Sequence, residues 1–134
     1  MALSSYKSRK VSDSVHWVEK DLRNRIMEEM LLLGFRPHTS GTRQLIDVLA
    51  LVVLDEYRLC DLKHRAYPIV AERYGVSWQC VERNLRYAIE SVWAYGNLTR
   101  IQQLFGFTVE AERGKPTNKA FLAQMAEYIR ISHA

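Results

Sequence analysis

Disulfides, membrane spans and nucleotide cradles are all missing from this chain of 134 residues. Its two cysteines, Cys60 and Cys80, stand apart, with neither a CxxC pair nor a histidine at metal-binding spacing, so free thiols in a reducing cytoplasm are expected. The four histidines (His16, His38, His64 and His133) are dispersed and no HExxH occurs, which leaves a metal site without a motif. No GxxxxGK phosphate loop, GxGxxG or GxSxG is present, so nucleotide binding and serine-elbow chemistry have no support. The adjacent carboxylates Glu28-Glu29 and Asp55-Glu56 diverge on a helix and read as solvated faces. The longest apolar run, Val48 to Leu54, is closed by Asp55-Glu56 well short of membrane-spanning length. The opening MALSSYKSRKVSDS lacks the apolar core of a secretory signal and reads as a disordered basic arm over residues 1–14. There is no β-hairpin signal, repeat or low-complexity tract. These absences set aside an enzyme, a cofactor and a membrane partner, and leave a cytoplasmic protein.

What is present is the composition of a soluble globular domain, 48% hydrophobic and 25% charged, long enough for one core over residues 15–134. A net charge of +4 leans towards a polyanionic partner. Its distribution sharpens the point. From Lys63 to Arg86 five basic residues (Lys63, Arg65, Arg73, Arg83, Arg86) face two acidic ones (Glu72, Glu82). Acidic residues gather elsewhere, at Glu28, Glu29, Asp47, Asp55 and Glu56.

That basic stretch holds the most organised pattern in the chain. YPIVAERYGVSWQCVERNLRYAIESVW reads as two helices around Gly75. Val81, Leu85, Ala88, Ile89, Val92 and Trp93 form the apolar stripe of the second helix, and Ser77 can cap its start. The opposite face carries Gln79, Glu82, Arg83, Arg86 and Glu90, a donor-rich set suited to base edges in a DNA major groove. A small residue at Ala71, the turn glycine Gly75 and apolar Val81 have helix-turn-helix spacing, although Asn84 stands where an apolar residue is usual. The same residues also describe a helical hairpin with a solvated outer face, its arginines paired with Glu82, Glu90 or Glu72.

Periodicity predicts an all-α, six-helix domain containing that helix-turn-helix. A first helix runs from a Ser14 cap to Leu33, closed by Gly34, and a nearly all-apolar central helix from about Thr42 to Tyr57. The third ends at Tyr74, with Pro68 forcing either a start near Tyr67 or a kink. The second helix of the motif spans about Ser77 to Tyr95, a short one Leu98 to Leu104 or Phe105, and the last Pro116-Thr117 to Ile131. Between these last two, Phe107 to Gly114 reads as an extended connector.

The motif stretch VERNLRYAIESVWAYGN resembles the most characteristic segment of the effector domain of the stage-zero sporulation response regulators, the sporulation transcription factors of Firmicutes. GFRPHTSGTRQLIDVL, AYPIVAERYGV, IQQLFGFTV and KPTNKAF are similar to further segments of that domain in the same order, from about Trp17 to Ile131. The resemblance implies a six-helix domain that binds double-stranded DNA at TGTCGAA-like elements, often in tandem copies, with RNA polymerase as protein partner and self-pairing through the last helix near Tyr128 to Ile131. It implies base reading by Glu82, Arg83 and Arg86, with Gln79 on the same face. Arg83 would donate bidentately to guanine, Glu82 accept from cytosine, and Arg86 read a second guanine or a phosphate. Lys115 matches a lysine assigned to phosphate contact, Asn118 aligns as a phosphate contact or as a cap of the last helix, and His38 has a backbone role. Lys63 and Arg65 would add phosphate contacts. Cys80 and Trp78 depart from the family pattern, which usually has a basic residue at the position of Cys80. These regulators carry an N-terminal phosphoacceptor domain of which residues 1–14 hold no part, so a free-standing effector domain and a fragment both remain open. A second class of function is a protein–protein module that antagonises a full-length regulator without binding DNA.

Overall fold

The structure is a computed structural model that describes residues 18, 20–106 and 114–132. The predicted arm over 1–14, the Ser14 cap, His16, Trp17, His133 and residues 107–113 of the connector lie outside the described residues. The described residues form seven α-helices and one short 3-10 helix, with no strand among them. In order these are α1 (Lys20–Leu33), α2 (Ser40–Leu54), the 3-10 helix (Glu56–Asp61), α3 (Leu62–Arg65), α4 (Tyr67–Tyr74), α5 (Trp78–Tyr95), α6 (Leu98–Phe105) and α7 (Asn118–Ser132).

The count of six is corrected to seven because the third predicted helix is two. Ala66 leaves helical geometry (φ −134°), and Pro68, which lacks an N–H, sits at the start of α4, where no helical donor is needed. The central helix also differs from its predicted span. Thr39 accepts from the Thr42 amide (3.3 Å), so α2 begins at Ser40. It stops at Leu54 because Asp55 turns extended (φ −150°) and its carboxylate accepts from the Tyr57 amide (3.2 Å), a local alternative to the helical ladder.

The α2 helix is the centre of the core, with Leu45, Ile46, Val48, Leu49, Ala50, Leu51 and Val52 all buried against α1, α5 and α7. Each of these leucine, isoleucine and valine side chains contributes about 1.5–3 kcal/mol on burial. Phe105 stacks on Phe121 at 5.4 Å, and Trp93 meets Phe105 edge-on at 4.9 Å, which locks α5, α6 and α7 together. Arg130 of α7 donates to the carbonyls of Val52 (3.2 Å) and Val53 (3.4 Å), satisfying the C-terminal end of α2.

Two glycines stop helices as expected, by the same device. Gly34 (φ 107°) and Gly75 (φ 67°) are left-handed, and the amide after each returns to a carbonyl five residues back: Phe35 to Met30 and Val76 to Ala71, both 3.0 Å. The second closure turns the chain directly from α4 into α5.

Charge fixes α4 in place. The Asp47 carboxylate of α2 is fully buried, accepts from the Tyr74 hydroxyl (2.7 Å) and pairs with Arg73 (3.5 Å) and with Arg23 of α1. Burial, reinforced by Asp47, pushes the Tyr74 hydroxyl up to about 12. Arg73, counted among the basic residues of the motif stretch, is therefore engaged in the fold. Glu29 is a further correction: its carboxylate, 12% exposed, accepts from Arg100 at 2.6 Å and joins α1 to α6. The solvated-face reading holds for Glu56, not for Glu29.

Candidate nucleic-acid interface

Ser77 caps α5 as its hydroxyl accepts from the Cys80 amide (3.1 Å). Val81, Leu85, Ile89 and Val92 are buried, so the stripe read from the sequence is the face that docks on the core. Asn84, the departure from that stripe, donates to the buried Gln44 of α2 at 3.0 Å, which replaces an apolar contact with a satisfied polar one.

With that face docked, Gln79, Arg83 and Arg86 are exposed and Glu82 is half-buried beside them. The guanidinium of Arg83 lies 3.7 Å from Cys80 Sγ and, among the described residues, within 4 Å of no carboxylate. Arg86 sits over the ring of Tyr87 at 5.5 Å. The ion pairs of Arg83 and Arg86 with Glu72, Glu82 or Glu90 that the sequence allowed are absent among the described residues. Two exposed forks of N–H donors thus project from one helix face.

Beside this face runs a groove of about 460 Å³ between α5, the 3-10 helix and the segment that opens α7. It gathers Lys63, Glu82, Arg86, Lys115 and Asn118, five of the predicted site residues, with Asp61 and Lys119. Four cations against two carboxylates leave it positive. Asp61 is held below the usual carboxylate range by its hydrogen bond from His64 (2.9 Å). Lys63 stands 5.8 Å over the Trp78 ring, which accounts for Trp78 as packing under a lysine. Lys115 pairs with Glu90 at 3.3 Å.

Asn118 does not cap the last helix, contrary to one of its two readings. Thr117 accepts from the Ala120 amide (3.1 Å), whereas Asn118 donates to the Glu82 carbonyl (3.0 Å) and to the Tyr67 hydroxyl (3.4 Å). It is the tether that holds the Lys115 segment against α5. Burial raises the pKa of that Tyr67 hydroxyl.

The structure does not bring every candidate into the groove. Gln79 and Arg83 lie on the open face of α5, Arg65 is exposed on α3, and His38 is exposed in the turn before α2. Lys119 was missed. A lysine in the first turn of a helix opposes the helix dipole, so its placement there was a readable signal. In the predicted self-pairing segment, Tyr128 accepts from Arg100 (3.0 Å) and Ile129 is buried, which leaves Ile131 as its large exposed apolar side chain. No helix among the described residues is long and apolar enough to cross a membrane.

The family model described as sporulation initiation factor Spo0A C terminal matches residues 24–129, from within α1 to the end of the buried part of α7. The match takes in α5, the groove beside it and the core that orients both, and on that extent the chain belongs to the Spo0A C-terminal family of sporulation initiation factors.

Proposed function

We propose that this chain is a sequence-specific DNA-binding transcription regulator of the sporulation-initiation type, with α4, the Gly75 turn and α5 acting as its helix-turn-helix. Family membership supports a DNA-binding sporulation-regulator domain rather than an enzyme. The observation that carries the finer reading is the exposed, donor-rich face of α5 running beside a positive groove. Arg83 and Arg86 have the fork geometry for guanine O6 and N7, Glu82 can accept from cytosine N4, and Gln79 lies on the same face near the helix start. Lys63 and Lys115, which line that groove, would contact phosphates with Asn118 beside them, and Arg65 and His38 would add further backbone contacts. Double-stranded DNA carrying TGTCGAA-like elements is the proposed ligand. RNA polymerase and a second copy on tandem sites are the proposed protein partners, and the cytoplasm the proposed compartment.

The test is a fluorescence-anisotropy titration of labelled duplexes at several salt concentrations. A duplex with the heptamer should bind at least tenfold more tightly than a scrambled one, and log K should fall linearly with log salt. Equal affinity for both duplexes removes sequence-specific recognition. Binding to a full-length sporulation regulator but to neither duplex favours the antagonist module instead.

A further inference from the structure

Lys115 is not left open for a phosphate. Its backbone is fixed by buried Pro116, by the Thr117 cap and by the Asn118 tether to the Glu82 carbonyl, so the lysine stem is the part able to swing. Its ammonium meets Glu90 Oε2 at 3.3 Å, across from the opening of α7 to the second half of α5. Glu90 could instead have paired along its own helix with Arg86, four residues earlier, but Arg86 lies over Tyr87. The carboxylate thus faces the groove's lysine. Both partners stay in contact with water, at 37% and 42% side-chain exposure, so the pair is exchangeable.

We propose that Glu90 is an affinity-tuning residue: it holds Lys115 in an internal ion pair that any DNA phosphate must displace. The inference rests on the reading of α5 as the DNA-facing helix. A phosphate contact carries no sequence information, so this competition weakens cognate and scrambled duplexes by the same factor and leaves their ratio unchanged. Base reading by Arg83 then decides occupancy, because the backbone contribution has been trimmed. Neither carboxylate that lines the groove competes for Lys115: Asp61 accepts from His64 (2.9 Å), and Glu82, its carbonyl tethered to Asn118, is not paired with the lysine.

A double-mutant cycle with Glu90→Gln and Lys115→Ala on the 134-residue chain tests the proposal, with duplex affinity measured at low salt. Glu90→Gln should tighten binding to both duplexes by about two- to fivefold, the range open to an exposed pair. The gain should shrink as salt screens the pair. In the Lys115→Ala background the same substitution should change affinity by less than about 1.5-fold, since the competed cation is gone. Two results overturn the proposal while leaving DNA binding intact. Weaker binding by Glu90→Gln would make the pair a scaffold for Lys115, and an equal gain in both backgrounds would make it general charge removal. A native chain that binds neither duplex removes the tuning together with the DNA-binding reading.

Discussion

Asp47 and Glu90 are both carboxylates that reach basic partners on other elements, yet they do opposite work. Asp47 is fully buried and joins α1, α2 and α4 through Arg23, Arg73 and Tyr74. Glu90 is 42% exposed and holds one lysine at the rim of a groove. The difference is solvent. A buried charge must keep all its partners, because losing one leaves an uncompensated ion in a poor dielectric. A half-exposed pair costs little to break, because water and salt replace each partner. So the arginines around Asp47 serve the fold, and the basic residues around α5 remain available to a ligand.

The largest expected effect tests the buried half of this contrast. Asp47→Asn keeps the shape and removes the charge, leaving Arg23 and Arg73 without their anion. We expect a loss of about 3 kcal/mol in unfolding free energy by urea titration. A loss below about 1 kcal/mol would place Asp47 with the surface pairs and collapse the distinction.

Next in size is the exposed half. Arg83→Ala should cost about 1–3 kcal/mol of binding to the cognate duplex and flatten preference at one base pair. Its melting temperature should hardly change, since Arg83 is exposed and its side-chain partner is the Cys80 sulfur. Equal weakening on cognate and scrambled duplexes, or a lower melting temperature, would move Arg83 to the structural side of the comparison.

The smallest effect is a pH dependence of the Asp47 cluster. The folded state raises the Tyr74 hydroxyl from 10.0 to about 12, through burial and then Asp47. A raised folded pKa means the native state holds the proton more tightly than the unfolded chain. The corresponding stability is complete below pH 10 and is lost as pH rises through about 12. Plots of unfolding free energy against pH should therefore fall less steeply in this window for Tyr74→Phe than for the native chain. Identical slopes would mean that the phenol titrates as it does in water.

Much of this architecture was readable from local chemistry. The 3.6-residue stripe of α5, its Ser77 cap and the left-handed stops at Gly34 and Gly75 were all visible, because periodicity and capping act within about five residues. The division of the third helix was half-visible in Pro68, and α2 stops at Leu54, where its apolar run stops, rather than at Tyr57, because Asp55 accepts from the Tyr57 amide. The polar face of the helix also nominated Glu82, Arg83 and Arg86, whereas Lys115 was nominated only by the family resemblance. The partners of these side chains were not legible. Arg73 and Arg83 look alike on paper, ten residues apart on neighbouring helices, but one lies against buried Asp47 and the other meets solvent. Asn118, read as a phosphate contact or a helix cap, is a tether to a carbonyl 36 residues away. Spacing determined which residues share a helix face. Which charges face a partner across the core, and which remain for a ligand, was decided by how the helices cross, because ion pairing and desolvation depend on distances that only the folded chain creates.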